Sequence, residues 1–349
     1  MYAKIKRCPR GSRRNKITGD CDKNKVVLKS VPVSDAPHQR VEKQKRCPRG
    51  TRRNKKTGIC EPTVVTSKSN KTHQDDINKF KKEILDMIES GKNIRNINYD
   101  ESWDTSKFAI SALFHKYQSR EKCRIHRIQL SDNEIMYEYV AKTVASQLKD
   151  CIKRGLTVLP MIVSYEISGD IEHANSMVLK ADERKIYYFE PNGVFFSGWE
   201  KNVASFLNIL TSEMSGDGNT YTYEFVQVVC NAGLQKKELE IRRRDKDVNA
   251  NGRILGYCQM WSIYFFDCVL SYPNLPINRI QDIIFDTAKG TTGIRDLITE
   301  YIRVTLKNIH KYLKDRGIKN ADKYNFSNLH QLRYHKNITP PTSASYSDS

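Results

Sequence analysis

Leu255-Gly256-Tyr257-Cys258-Gln259-Met260-Trp261-Ser262-Ile263-Tyr264-Phe265-Phe266-Asp267-Cys268-Val269-Leu270 reads as a glycine turn that delivers a cysteine onto the first turn of a helix. The helix is apolar nearly all round, so it belongs in a core. A thiol at a helix N-terminus sits among backbone N–H groups that have no intrahelical acceptor, at the positive end of the helix dipole. Both favour thiolate, the nucleophilic form of cysteine. The same amides can receive a developing oxyanion. Cys258 alone is a weak signal, because free cysteines are among the most buried residues and are usually inert. Cys268, ten positions on at a different angle of the helix, reads as packing.

Upstream, Glu172-His173-Ala174-Asn175-Ser176-Met177-Val178-Leu179-Lys180 and Arg184-Lys185-Ile186-Tyr187-Tyr188-Phe189-Glu190 read as a β-hairpin turning at Ala181-Asp182-Glu183. The hairpin sets His173 early on one strand and Glu190 at the end of the next, seventeen positions later. Antiparallel strands joined by a short turn bring such positions together. A carboxylate beside an imidazole fixes its tautomer and stabilises imidazolium, which in turn activates a nearby thiol. Base, acid and thiol follow one another along the chain in that order.

The rest of the body fits around these elements. Residues 62–74, rich in Thr, Ser, Lys and Asn, read as a linker. Ile77, Phe80, Ile84, Leu85 and Ile88 then fall on one helical face. Phe108–Tyr117 suggests a second helix. Ser131-Asp132-Asn133-Glu134 is a capping box for a third, which stops at Gly155. Leu156–Ile167 is expected to be a central strand, Trp199–Met214 a helix and Tyr221–Cys230 a strand. Residues 233–254 read as a polar connection that includes Arg242-Arg243-Arg244. Helices at about 278–288 and 291–315 close the fold, and the last thirty residues read as a tail.

On these residues the chain resembles the cysteine protease clan that contains adenain, the asfarvirus polyprotein protease and the proteases specific for ubiquitin-like modifiers. The order His–acid–Cys and the seventeen-residue gap are shared. Tyr188-Phe189-Glu190-Pro191-Asn192-Gly193-Val194-Phe195 resembles the segment carrying the clan's acid, Gly256-Tyr257-Cys258-Gln259-Met260-Trp261 its nucleophile turn, and Tyr272-Pro273 the exit of the nucleophile helix in adenain. The resemblance spans about residues 130–290. It implies an α+β fold of the adenain type, papain-like in mirror order, with a central mixed β-sheet packed by helices. It also implies a thiol endopeptidase with Cys258 as nucleophile, His173 as general base and acid, and Glu190 as orienting acid, needing neither metal nor organic cofactor. The implied substrate is a viral polyprotein or a ubiquitin-like protein tail cut after small residues.

The departures are local. Ala174 stands where many members have Trp. The glutamine that assists the oxyanion six or seven residues before the cysteine is replaced by Asn251 and Gly252, so Asn251 is the candidate donor. An Asn serves as third member in the asfarvirus enzyme, which makes Asn192 the rival of Glu190. Loss of the glutamine also supports a second reading, a catalytically silent protease-like module that binds a partner.

The 349-residue chain carries a formal charge of +19. Residues 1–72 hold 21 of its 59 Lys/Arg and only five of its 40 Asp/Glu, so an N-terminal arm accounts for nearly all of that charge. Such an arm, expected to be disordered, can hold nucleic acid, an anionic membrane surface, an acidic protein or a virion component by counterion release. Lys6-Arg7-Cys8-Pro9-Arg10-Gly11-Ser12-Arg13-Arg14-Asn15-Lys16 returns as Lys45-Arg46-Cys47-Pro48-Arg49-Gly50-Thr51-Arg52-Arg53-Asn54-Lys55, and the copies close with Thr-Gly-x-Cys at Cys21 and Cys60. Each pair, Cys8 with Cys21 and Cys47 with Cys60, suits a small disulfide hairpin. A four-cysteine zinc site is the weaker reading, lacking any Cys-x2-4-Cys pair. The modules resemble short repeats in proteins of large DNA viruses, which implies a place in the virion or host cytoplasm. Nine scattered cysteines argue for a reducing compartment and against a disulfide scaffold, with Cys123, Cys151 and Cys230 carrying no pattern. No apolar run is long enough to span a membrane. The body has no zinc finger, RNA-recognition signature or helix-turn-helix pattern, so a nucleic-acid-binding reading rests on the arm alone. The expected organisation is an arm and linker over 1–74, a protease-like domain over 75–316 and a tail over 317–349.

Overall fold

A computed structural model describes residues 12–14, 21–23, 51–53, 60–62, 66–94, 99, 102–117, 125–131, 134–168, 171–193, 195, 198–216, 218–226, 233–246, 257–290, 292–333, 335, 338 and 342–344. The chain divides into two units, Met1–Val64 and Val65–Ser349.

In the first unit each basic repeat forms one antiparallel pair. Strands β1 (Ser12–Arg14) and β2 (Cys21–Lys23) pair with Arg14 opposite Cys21. Strands β3 (Thr51–Arg53) and β4 (Cys60–Pro62) pair with Arg53 opposite Cys60. Identical spacing gives identical register, so the repeat is structural as well as sequential. The described parts of the arm are thus short hairpins. Cys8 and Cys47 lie outside the described residues.

The second unit is α+β. In chain order it runs α1 (Thr66–Gly91), α2 (Trp103–Lys116), β5 (Ile125–Leu130), α3 (Glu134–Lys153), β6 (Val158–Ser168), β7 (Ile171–Lys180), β8 (Lys185–Phe189), α4 (Trp199–Met214) and β9 (Thr222–Phe225). It continues through α5 (Leu234–Arg244), α6 (Cys258–Ser271), α7 (Ile277–Thr287) and α8 (Gly293–Asp315), then two 3-10 helices (Ala321–Lys323 and Phe326–Leu332) and β10 (Thr342–Ala344). The sheet order is β10-β5-β6-β7-β8-β9. The β5–β6, β8–β9 and β10–β5 pairs are parallel, while β6–β7 and β7–β8 are antiparallel, so the sheet is mixed.

Alternation along the strands decides what each face covers. Leu159, Met161, Val163 and Tyr165 on β6, with Met177 and Leu179 on β7, join a core built with α3 and α4. Val158, Ile162, Ala174, Val178, Tyr187 and Phe189 point into the other core, made with α1, α2, α6, α7 and α8. Because α6 is buried along almost its whole length, the nucleophile candidate is carried by one of the most enclosed elements of the molecule. No helix among the described residues is long and apolar enough to cross a membrane.

Three sequence expectations are corrected. Helix α1 begins at Thr66, inside the segment read as a linker. Residues 233–254 are not all connection, since Leu234–Arg244 is helix α5. The expected tail contains Ile318, Phe326, Leu329, Leu332 and Ile338, all buried in the main core. Cys151, which carried no pattern in the sequence, is disulfide-bonded: chain folding can pair thiols whose sequence spacing carries no pattern.

Candidate active site

Register alone would set His173 opposite Asn192, since the β7–β8 ladder pairs Ser176 with Phe189 and Met177 with Tyr188. Strand β8 ends at Phe189, however, and Glu190 opens a turn. Gly193 donates its N–H to the Glu190 carbonyl (3.0 Å) and takes a φ of +82°, which glycine adopts without strain. This turn folds the Glu190 side chain back, and Glu190 Oε1 lies 2.7 Å from His173 Nε2. Both residues are buried, His173 to 2% exposure and Glu190 to 6%.

A buried carboxylate has to be satisfied by donors, and Glu190 has three. His173 Nε2 and the Asn192 backbone N–H (2.8 Å) both approach Oε1, and the Tyr165 hydroxyl donates to Oε2 at 3.1 Å. Tyr165 is held by stacking on Trp199, with centroids 4.3 Å apart and planes at 14°, and its ring stands 5.5 Å from that of His173. Of the two sequence candidates for the acid, Glu190 contacts the ring. Asn192 supplies its backbone N–H to the same carboxylate.

Helix α5, which the sequence did not reveal, supports this turn from outside. Gly233 donates its N–H to the Asn192 carbonyl at 3.1 Å, and Gln235 donates to the Pro191 carbonyl at 2.9 Å. A Cβ on Gly233 would lie 2.3 Å from backbone atoms of Pro191, Asn192 and Gly193. Only glycine permits so close an approach.

Cys258 heads α6 and is 5% exposed. The helix is bound to the β7–β8 hairpin at three points. Ser262, one turn beyond Cys258, donates its hydroxyl to the Ala174 carbonyl at 3.3 Å, and Ser176 donates to the Ser262 carbonyl at 3.1 Å. Phe265 stacks on Phe189, with centroids 4.3 Å apart and planes at 8°. Small hydroxyl residues let the helix backbone approach the sheet. Cys258 therefore stands one helical turn, about 5 Å along the axis, from Ser262, which bonds to His173's chain neighbour Ala174. Asn251 lies outside the described residues.

The two body cysteines described as free differ in setting. Burial, and then the charge of Asp267, push the Cys268 thiol well above its ordinary range. It packs as an inert core group, as its position on the helix suggested. No cluster of three His, Cys, Asp or Glu side chains that could hold a metal occurs among the described residues.

Solved structures resemble the chain weakly. No protein-family model and no curated protein matches it. ChlaDub1 from Chlamydia trachomatis aligns at 11% identity and a TM-score of 0.37, covering 62% of this chain and 95% of that one. The Chlamydia trachomatis effector protein Cdu1 bound to ubiquitin gives 12% identity and a TM-score of 0.38, over 61% and 95% of the two chains. The SUMO protease Ulp1, with its catalytic cysteine oxidized to a sulfonic acid, gives 9% and 0.26, over 68% and 94%. At such similarity the residues of the site have to carry the functional argument.

Proposed function

We propose that the chain is a cysteine peptidase in which Cys258 is the nucleophile, His173 the general base and acid, and Glu190 the group that orients the imidazole. The observation that carries this reading is the buried His173–Glu190 pair, set on a hairpin that packs against the helix headed by Cys258. With Nε2 turned to the carboxylate, proton exchange with the thiol falls to Nδ1. The Cys258 thiolate attacks the scissile carbonyl carbon, and its negative charge passes to the carbonyl oxygen. The N–H groups at the head of α6 receive that oxygen, with Asn251 as the proposed second donor. Collapse breaks the C–N bond, and imidazolium gives its proton to the leaving amine. Water, deprotonated by His173, then opens the thioester to a carboxylic acid and the thiol. The proposed substrates are ubiquitin-like tails or viral polyproteins cut after small residues. The second reading, a silent binding module, draws on Asn251 and Gly252 at the positions where the resemblance calls for glutamine.

The test is alkylation of Cys258 by iodoacetamide across pH ~4–9, followed by peptide mass spectrometry, since an ordinary thiol reacts appreciably only near its reference pKa of ~8.5. Cys258 is expected to react rapidly at pH ~6, to lose that reactivity in His173→Ala, and to be modified while Cys268 is spared. Equal, slow profiles in both proteins would leave the binding module standing.

The arm is proposed to act as a tether to nucleic acid or virion components. Because helix α1 begins at Thr66, the clean deletion is residues 1–64. That variant is expected to turn over a small peptide as the full chain does and to lose its salt-sensitive retention on DNA. Unchanged DNA retention would remove the tether.

A further inference from the structure

Helix α5 carries a buried ion pair that the peptidase mechanism does not use. Glu238 is fully buried and Arg242 is 6% exposed. Glu238 Oε1 accepts from Arg242 Nε at 2.6 Å, and Oε2 accepts from Trp261 Nε1 at 2.8 Å. The backbone N–H of Tyr257 donates to the same carboxylate. The Arg242 guanidinium in turn lies 4.4 Å from the centroid of the Tyr257 ring, a cation–π contact. The Tyr99 ring meets Tyr257 edge-on at 5.1 Å. Tyr257 immediately precedes Cys258 and is the residue that caps α6 without a side-chain hydrogen bond.

We infer that Glu238 and Arg242 form a clamp that fixes Tyr257, the residue entering α6, and thereby aims the Cys258 thiol and the N–H groups at the head of α6. The inference rests on the peptidase reading and extends it to two positioning residues. The clamp grips the chain on both sides of the nucleophile: Tyr257 just before it, by backbone and by ring, and Trp261 one turn after it. A hairpin and a helix can bring base and thiol near each other, but the direction of the Cys258 N–H depends on the peptide that enters the helix. Tyr257 has φ −107° and ψ 55°, outside both helix and strand geometry; its carbonyl is tied into α6 by the Trp261 N–H at 2.9 Å, while its N–H, in the preceding peptide, points away from the helix ladder. Glu238 is the acceptor on that N–H, so the residue entering α6 is held on both sides. Burial raises the Glu238 carboxyl above the ordinary range, and Arg242 foremost among its partners pulls it back. Replacing such a pair by apolar residues often leaves stability unchanged or increases it, so stability alone does not explain an ion pair at this place. Removing the charge of Glu238 or the planar guanidinium of Arg242, by contrast, should loosen the residue that both members hold.

The experiment uses the full chain and two variants, Glu238→Gln and Arg242→Lys, with two readouts. Hydrogen exchange of the peptide containing Tyr257 reads the clamp itself. The pH profile of Cys258 alkylation reads its effect on the nucleophile. Both variants are expected to exchange faster there and to lose about tenfold or more in alkylation rate at pH ~6, with the profile moving toward that of a free thiol. A general loss of stability would lower the unfolding midpoint without moving the pH profile of the folded protein. If Glu238→Gln does not fold, Arg242→Lys carries the test, because it keeps the charge and removes the planar stack. Unaltered exchange with an unaltered profile would overturn the clamp, and faster exchange with an unaltered profile would overturn its role in aiming the thiol. A wild-type Cys258 as slow as a free thiol would instead fail the peptidase reading, and the exchange data would still report whether the clamp exists.

Discussion

Glu190→Gln is expected to lower peptide turnover by about 10²–10⁴-fold with little change in the fold. The arrangement of donors makes this substitution unusually clean. Oε1 receives two N–H groups, from His173 and from the Asn192 backbone, whereas Oε2 receives only the Tyr165 hydroxyl. A glutamine can therefore place its carbonyl oxygen toward the two N–H donors and its amide toward Tyr165, whose hydroxyl reverses to accept. Every hydrogen bond survives and only the negative charge is lost. Imidazolium then forms beside a neutral amide, and the thiolate loses its counterion. Asn192→Ala is the paired measurement. Because Asn192 reaches Glu190 through its backbone N–H, which alanine retains, this variant is expected to keep turnover within about threefold of wild type. The reverse ranking, with Asn192→Ala inactive and Glu190→Gln active, would make Asn192 the third member. Glu190→Ala is the wrong probe: it would leave three donors without their acceptor in a buried site, at about 1–3 kcal/mol each, and would confuse unfolding with lost chemistry.

The parts of this site that could be read in the sequence are those whose physics is local. Two β-type runs on either side of a short polar turn announced the β7–β8 hairpin, and the mostly apolar helix after Gly256 announced α6. His173 and Glu190 followed from the hairpin, although their contact is made by the Glu190–Gly193 turn and not by direct register. Helix α5 escaped because its sequence, Leu-Gln-Lys-Lys-Glu-Leu-Glu-Ile-Arg-Arg-Arg, presents as a solvated charge run. Its buried face is Leu234, Gln235, Glu238, Ile241 and Arg242, in which two charges neutralise each other at i and i+4. That spacing was the available signal, but whether such a pair faces solvent or core depends on Trp261 and Tyr257, far along the chain. The C-terminal segment escaped for another reason. Phe326, Leu329 and Leu332 recur every third residue, the period of a 3-10 helix, and so match neither the 3.6-residue helical pattern nor the alternation of a strand.

That segment gives the largest stability effect: a chain ending at Arg316 is expected not to fold. Ile318, Phe326, Leu329, Leu332 and Ile338 are each 6% exposed or less. At about 1.5–3 kcal/mol per fully buried large apolar side chain, their loss would remove roughly 10 kcal/mol, as much as the whole net stability of an ordinary domain. Electrostatics adds to the damage. Asp104, 2% exposed in the first turn of α2, is bound by Arg333 through two nitrogens, at 2.7 and 3.3 Å, and truncation would remove that guanidinium from a buried carboxylate. His310 also loses its contact with the Tyr324 carbonyl, at 2.6 Å. Phe326→Ala makes the point without truncation and is expected to cost about 3–5 kcal/mol, read as the shift in a urea unfolding midpoint. This variant also tests a link to the site. Phe326 packs edge-on against Tyr99 at 5.1 Å, and Tyr99 packs in the same way against Tyr257, so the far end of the unit supports the residue that precedes Cys258. Alkylation of Cys258 in folded Phe326→Ala should therefore slow. A soluble, cooperatively unfolding chain ending at Arg316, with its midpoint unchanged, would show that residues 317–349 are the tail that their composition suggests.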